Sequence, residues 1–295
     1  PTGKSICNTL PKFQKSEMAQ AMALNKRLLE PARRFITRCE IELDWEDLSD
    51  DTIMDMGCGI HFSCTRALLE KFPRIGCLVA IDIVNVMTKE IREDEFFAEY
   101  FGKEILQFRH LDITDCLKNY GKIVNKIVCR NVLQQVFDKE MAFQNMYDLL
   151  RPGGHAAILF CIATPVGTCH LRLSSSTNWA QHRRNAIPFF TPANLEEGYY
   201  KKLLEKIGFQ VVLCERRTVR NQFLDDQSFL RSFLTFARVQ FNIPQGRMTQ
   251  FKEESVKLFK ELIGYSGSGP LRYEASDLLL LAIKPQDGKN LDKFL

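Results

Sequence analysis

The chain has 295 residues, of which 45% are hydrophobic and 26% are charged, a composition that argues against an intrinsically disordered protein. The 40 Lys and Arg residues and 36 Asp and Glu residues give a net charge of +4, which is too small to indicate a nucleic-acid or membrane-surface partner. No apolar run approaches the roughly 18 residues that a membrane span requires. The N-terminus has no apolar segment, so we expect a secretory signal to be absent or already removed.

Strand and helix patterns alternate from residue 52 onward. Before that point, apolar residues at helical spacing predict a helix over residues 11–41, which Pro31 should break or kink. The predicted strands are residues 52–56, 77–83, 105–111, 123–129, 155–162 and 209–215, and the predicted helices between them are residues 62–72, 86–101, 139–150 and 195–207. This alternation predicts an α/β fold with a doubly wound, mainly parallel sheet.

The last third of the chain departs from this alternation. Residues 223–241 and 248–263 are predicted helices, and residues 276–284 form an apolar run typical of a buried strand. We therefore predict a seven-stranded mixed sheet whose last strand lies beside residues 209–215. The predicted organisation is an N-terminal helical cap (1–50), a core (51–220), a helical insertion that caps the sheet edge (221–270), and the last core strand with a tail (271–295).

Ten cysteines are scattered along the chain without a CxxC pair, and most lie in apolar stretches. This pattern favours buried free thiols in a reducing compartment, so we expect a cytoplasmic protein. Cys169 and His170 form an adjacent pair of soft metal ligands, but no second pair lies nearby in the sequence, and we expect no metal site.

A glycine-rich segment, Asp-x-Gly-Cys-Gly at residues 55–59, connects the first predicted strand to the next helix. Glycines at this place let the backbone turn tightly and approach a ligand closely. Asp82 ends the second predicted strand, where a carboxylate can accept hydrogen bonds from ribose hydroxyls. Asp112 follows the third strand, where a carboxylate can accept a hydrogen bond from an adenine amino group. The set predicts a nucleotide-type cofactor site.

These motifs resemble those of the class I S-adenosylmethionine-dependent methyltransferases, which implies a Rossmann-like fold and S-adenosylmethionine as cofactor. The family usually has Thr-Gly where this chain has Ile60-His61, so the His61 imidazole could crowd the cofactor, stack on it or turn to solvent. The cofactor contacts that the resemblance implies are Asp55, Gly57, Cys58, Gly59, His61, Asp82, Ile83, Asp112, Ile113 and Cys129.

Further along the chain, residues 142–154, Trp179, and residues 188–192, 208–215 and 229–263 resemble the juvenile hormone acid O-methyltransferases. The resemblance covers roughly residues 23–285 and implies methyl transfer to a lipophilic carboxylic acid such as farnesoic acid. That family binds the acid with a Gln on the N-terminal helix and a Trp after the fourth strand. Asn25 and Gln135 stand at these positions here, and both amides can still donate hydrogen bonds to an acid.

The remaining predicted contacts surround the acceptor. Arg130 follows the fourth strand, where its guanidinium either clamps a substrate carboxylate or forms a surface ion pair. We expect an apolar pocket for a hydrophobic small-molecule acid, capped by residues 11–41 and 223–263. Its predicted lining residues are Trp179, Phe189, Phe190 and Phe223.

Three functions remain open at this point. The first is an O-methyltransferase, which needs no general base because a carboxylate is already ionised at neutral pH. The second is a catalytically degenerate protein that binds a hydrophobic ligand without turnover, which the changes at Asn25, His61 and Gln135 favour. The third is a nitrogen methyltransferase for protein or nucleic acid, which lacks support because the Pro-Pro-Tyr type of motif and a basic stripe are absent from the sequence.

Overall fold

The computed structural model describes residues 15–115, 123–184 and 196–286, except for the side chains of residues 15–28 and 239. The helices are α1 (Lys15–Leu43), α2 (Ser63–Lys71), α3 (Lys89–Arg92), α4 (Glu95–Gly102), α5 (Lys139–Leu149), α6 (Pro165–Ser174), α7 (Glu197–Ile207), α8 (Asp226–Gln240) and α9 (Met248–Leu262). The strands are β1 (Thr52–Met56), β2 (Cys77–Asp82), β3 (Leu106–His110), β4 (Val124–Arg130), β5 (Leu150–Ala163), β6 (Gln210–Phe223) and β7 (Leu271–Ile283).

The seven strands form one sheet in the order β3-β2-β1-β4-β5-β7-β6. Strands β1 to β5 pair in parallel, whereas β7 lies antiparallel between β5 and β6. Cys214 of β6 lies opposite Leu280 of β7, so the last strand lies beside the strand predicted for it. The predicted seven-stranded mixed sheet is confirmed.

Strand alternation sends successive residues to two separate cores. On one face, α1, α2 and α4 pack against residues such as Ile53 and Val128, and on the other, α5 and α7 pack against residues such as Met54 and Cys129. A third core joins α6, α8 and α9 to the far ends of β6 and β7. We call α6, α8 and α9 the cap.

Three predicted boundaries are wrong. Helix α1 continues through Pro31, because burial of Phe35, Ile36 and Cys39 in the core offsets the backbone hydrogen bond that proline removes. The helix predicted over residues 86–101 is two helices, since the Asp94 side chain accepts hydrogen bonds from two backbone N–H groups and caps a new N-terminus. Strand β6 runs to Phe223, eight residues past the predicted strand end at residue 215.

Helix α6 was not predicted from the sequence. Its N-terminal Pro165 is a helix-start signal, because the fixed φ of proline suits the first helical position. No helix within the described ranges is long and apolar enough to cross a bilayer. The same ranges contain no group of three or more His, Cys, Asp or Glu side chains that could hold a metal ion.

Candidate cofactor and acceptor site

The glycine-rich loop between β1 and α2 is bound by hydrogen bonds to the end of β2. The N–H groups of Gly57 and Cys58 donate to the Ile81 carbonyl at 2.8 and 3.0 Å, and the Gly59 N–H donates to Asp82 Oδ2 at 2.9 Å. These bonds hold the loop beside the carboxyl edge of the sheet, where open α/β sheets bind their ligands.

Two positive φ angles explain why the loop requires glycine. At Gly57, with φ of 79°, an added Cβ would lie 2.2 Å from Val132 Cγ2, so a larger residue would collide with the loop after β4. At Gly59, with φ of 62°, the space in front of the backbone is open, with no atom of the described structure within 4 Å of an added Cβ. A ligand can therefore approach the Gly59 backbone closely.

Asp55 lies at the end of β1, directly below the loop, and is 1% exposed. Its Oδ2 accepts a hydrogen bond of 2.6 Å from Thr65 Oγ1, which ties β1 to the first turn of α2. Burial raises the pKa of Asp55 to about 6, although the Thr65 hydrogen bond and the nearby Arg130 guanidinium act in the opposite direction.

The two other predicted carboxylates stand at the same edge of the sheet, beside the glycine-rich loop. Asp82 Oδ1 accepts the Val84 N–H at 2.9 Å, so both of its oxygens are oriented by backbone donors. Asp112 Oδ1 accepts hydrogen bonds of 2.8 Å from both the N–H and the hydroxyl of Thr114. Ile83 is 62% exposed and presents an apolar surface between them. Two oriented carboxylates, an apolar surface and an open glycine backbone fit a nucleoside cofactor.

Four of the predicted cofactor residues have side chains inside the protein: Asp55, described above, and Cys58, Ile113 and Cys129. Cys129 is fully buried because strand alternation places it on the α5 face, and this burial raises the pKa of its thiol well above the usual value. Ile113 is 6% exposed, and its carbonyl accepts a hydrogen bond of 2.8 Å from Asn145 Nδ2. Cys58 is 7% exposed. The side chains of Cys129 and Ile113 therefore support the site from below. His61, by contrast, is exposed at the loop surface.

A cavity of about 760 Å³ opens beside the loop, at the carboxyl ends of β4 and β5. It includes three predicted site residues, Arg130, Gln135 and Phe223. Both predicted capping segments contribute to its walls. The lining comprises Pro31, Arg34 and Phe35 of α1; Arg130, Asn131, Gln134 and Gln135; Leu159, Cys161, Thr164 and Val166; Arg217, Val219, Arg220, Asn221 and Phe223; Ser232 and Phe236 of α8; and Tyr273, Ala275 and Asp277 of β7.

The cavity is less apolar than the pocket expected from the sequence, because several charged side chains line it. Their source is the β6–β7 ribbon, which extends beyond the other strands. Alternate residues of β6 face the cavity, with Arg217 opposite Asp277, Val219 opposite Ala275 and Asn221 opposite Tyr273. The cavity therefore combines aromatic and aliphatic walls with arginine donors.

Arg130 connects the loop to the cavity. Its Nε is buried and has no hydrogen-bond partner among the described residues, and its charge lowers the pKa of Asp55. Across the cavity, burial raises the pKa of Asp277, while Arg130 and Arg217 act in the opposite direction. Gln134 Oε1 is also buried without a described partner. These are polar atoms available to a ligand.

A family model for a methyltransferase domain matches residues 22–213. The chain belongs to the methyltransferase family. The cofactor of this methyltransferase is S-adenosylmethionine, as the glycine-rich loop predicts.

Two curated proteins are similar to this methyltransferase. The juvenile hormone acid O-methyltransferase of Bombyx mori is 26% identical over 226 residues, which are 75% of this chain and 78% of that protein. The arsenite methyltransferase of Halobacterium salinarum is 28% identical over 116 residues, which are 39% of this chain and 28% of that protein.

Solved structures share the fold of the methyltransferase at low sequence identity. A Bacillus halodurans protein assigned as a methyltransferase is 14% identical, with a TM-score of 0.54 over 80% of this chain and 93% of that chain. A Galdieria sulphuraria protein assigned as a sarcosine dimethylglycine methyltransferase is 15% identical, with a TM-score of 0.51 over 87% of this chain and 86% of that chain.

Trp179 does not line the cavity beside the loop. It is fully buried in the cap, where its Nε1–H donates to Glu254 Oε2 at 2.6 Å and its ring meets Phe251 edge-on at 5.0 Å. The predicted substrate contact is therefore corrected to a packing residue of the cap. The Asn25 side chain, Phe189 and Phe190 lie outside the described part of the chain.

Lining residues missed from the sequence include Arg34, Gln134, Arg217 and Asp277. A local signal existed for Arg217, because Arg217, Val219, Asn221 and Phe223 alternate with exposed residues as a strand requires. Asp277 lies within an apolar run of the sequence. Its place in the cavity wall can be recognised only from its cross-strand pairing with Arg217.

Proposed function

We propose that this methyltransferase transfers a methyl group from S-adenosylmethionine to the carboxylate of a lipophilic acid of the farnesoic acid type. The observation that carries the proposal is the cavity beside the glycine-rich loop, which joins arginine donors to an aromatic wall. Arg130 stands where the two regions meet, since it lines the cavity and also acts on the charge of Asp55.

The residues of the cavity suit a carboxylate acceptor. The Arg130 guanidinium has an unpartnered N–H to offer, and a charge-assisted hydrogen bond would hold one acceptor oxygen in place. The exposed Gln135 amide and Asn25 are proposed as further donors. Phe35, Phe223 and Phe236 would enclose the hydrocarbon chain. An acceptor placed in this way has lost much of its translational freedom before reaction.

Bound S-adenosylmethionine would supply an electrophilic methyl group on a sulfonium. The acceptor oxygen would form the new bond to that carbon while the carbon–sulfur bond breaks, giving a methyl ester and a thioether. No proton moves, because the acid is ionised at neutral pH, so the protein has to provide position and desolvation rather than a general base.

The cofactor contacts are part of the same proposal. Asp82 would accept hydrogen bonds from ribose hydroxyls, and Asp112 from the adenine amino group. Ile83 would pack on the adenine, and the backbone at Gly57 and Gly59 would approach the amino-acid part of the cofactor. The exposed position of His61 leaves the backbone of the turn accessible, so we propose that its imidazole lies at the rim of the cofactor site.

The expected division of the chain fits this proposal. Residues 1–50 and 221–270 would cover the cavity, because α1 and α8 both contribute side chains to its wall. A cytoplasmic location is also proposed, and the eight described cysteines support it because each of them is free.

The similarity to the juvenile hormone acid O-methyltransferase of Bombyx mori supports the acid substrate class. A binder without turnover is the second candidate, favoured by the amide residues Asn25 and Gln135 at the expected acid-binding positions and by His61 in the loop. Both candidates retain the cavity, and only the first produces an ester.

Mass-spectrometric detection of methyl ester separates these candidates. We expect wild-type protein, incubated with S-adenosylmethionine and farnesoic acid, to form methyl farnesoate. Arg130→Gln should reduce kcat/KM by about tenfold to a hundredfold, the loss of one charge-assisted hydrogen bond. Arg216→Gln is the matched control, because Arg216 is exposed on β6 and is not among the cavity-lining residues. Farnesoic acid binding without any ester would support the binder.

A further inference from the structure

Most of the cationic side chains around the acceptor cavity have a carboxylate neighbour. Arg217 Nη2 lies 3.1 Å from Glu215 Oε2, and the Arg130 charge acts on Asp277, whose pKa it lowers. Arg220 also lines the cavity, and it forms an ion pair of 3.2 Å with Glu274, the residue opposite it on β7. These pairs leave little net charge on the sheet side of the cavity.

Helix α1 carries the exception. Arg33 contacts Glu30 and Glu70 at 2.6 and 2.7 Å, and Arg38 contacts Glu42 at 2.7 Å. Arg34 stands between them, lines the cavity, and has no hydrogen bond or ion pair with any residue in the described ranges. Within the described ranges, the cavity wall therefore carries a positive charge on the helix side that no carboxylate compensates.

The position of Arg34 is fixed by its neighbours on the helix. Pro31, Arg34 and Phe35 are three and four residues apart, so they share the face of α1 that lines the cavity. Phe35 is only 4% exposed and anchors that face in the core shared with α2. The helix backbone that carries Arg34 is thus anchored at the cavity wall, while the Arg34 side chain itself is exposed.

We infer that Arg34 binds the single anionic group of the acceptor from the helix side, together with Arg130 from the sheet side. The inference rests on the proposed function for the identity of the acceptor, and it makes Arg34 a specificity-determining residue. One unpaired cation matches one carboxylate, whose two oxygens can be shared between two guanidinium groups. A neutral ligand with the same hydrocarbon chain would leave the Arg34 guanidinium without a counter-charge.

The arrangement also explains how the chain could recognise an acid with Asn25 and Gln135 at the expected positions. An amide offers two N–H donors and no charge, whereas a guanidinium offers five donors and a permanent positive charge. Arg34 would therefore supply charge recognition from the same N-terminal helix, about two and a half turns beyond Asn25.

Calorimetric titration with two probes of the same chain, farnesoic acid and farnesol, tests the inference without turnover. In wild-type protein, the acid should bind about tenfold more tightly than the alcohol. Arg34→Gln should remove most of that preference, because the affinity for the acid should fall while the affinity for the alcohol stays within twofold of wild type. This is the result expected for a lost charge-assisted contact. Arg216→Gln, which removes an equal charge outside the cavity, should leave both affinities unchanged.

Three results would overturn the inference: equal binding of acid and alcohol by the wild type, no effect of Arg34→Gln on the acid, or an equal loss in Arg216→Gln. The last result would mean that the effect is general attraction rather than contact. A normal preference for the acid without ester formation would reject the proposed methyl transfer and leave the role of Arg34 intact.

Discussion

Asp55 is a carboxylate that the fold buries at a cost in stability. Because its pKa is raised to about 6, the folded protein binds this proton more tightly than the unfolded chain does. The free energy of unfolding therefore falls as the pH rises from about 4 to about 6, and the penalty is fully present above that range. A buried carboxylate with a raised pKa is typical of functional sites, where the chemistry of the site rather than core packing determines which residue is present.

We expect Asp55→Asn to stabilise the protein in a pH-dependent way. The gain in the free energy of unfolding should reach about 3 kcal/mol at most at pH 8 and only about 1 kcal/mol at pH 4.5, because the wild-type carboxyl is then largely protonated. Urea denaturation at pH 8 and at pH 4.5 measures this difference. Asp50→Asn, at an exposed position, should show no such trend. A gain of equal size at both values would contradict the ionisation argument.

At the scale of single elements, the cap is held together by aromatic packing and by the Trp179–Glu254 hydrogen bond. We expect Trp179→Phe to lower the free energy of unfolding by about 2 kcal/mol, since it removes a buried donor and part of a large apolar surface. Farnesoic acid affinity should remain within about twofold of wild type, because the indole does not line the cavity.

Urea denaturation and acid titration of the same Trp179→Phe sample make this comparison. Glu254→Gln is a useful companion variant, because its amide oxygen can still accept the indole N–H, and it should cost less stability. A large loss of affinity for farnesoic acid at unchanged stability would contradict this account and would show that Trp179 contributes to acid binding.

The elements that the sequence predicts best are those with local signals. The glycine-rich loop, Asp82 and Asp112 were found because turn chemistry and strand ends are visible in short segments. Helices α8 and α9 and strand β7 were predicted from their apolar patterns, whereas α6 was not. Arg34 and Asp277 were missed, because their meeting depends on how α1 crosses the sheet and on the β6–β7 register, neither of which a local pattern contains. Tertiary packing also explains why α1 continues through Pro31.

For the whole molecule, the strand order explains the position of the site. The order β3-β2-β1-β4-β5 reverses direction between β1 and β4, and open parallel sheets bind ligands at this crevice. The glycine-rich loop follows β1 and Arg130 ends β4, so the cofactor loop and the acceptor cavity meet at the same point. The central claim is therefore that one crevice binds both S-adenosylmethionine and the acid.

Calorimetric titration of the wild-type protein with S-adenosylmethionine tests this claim most directly. We predict saturable binding at one site with a dissociation constant in the micromolar range, weakened at least tenfold in Asp82→Ala, because the carboxylate that orients the loop and would accept the ribose hydroxyls is removed. Absence of binding by folded wild-type protein at millimolar cofactor would contradict the account and would leave a fold that binds an acid without methyl transfer.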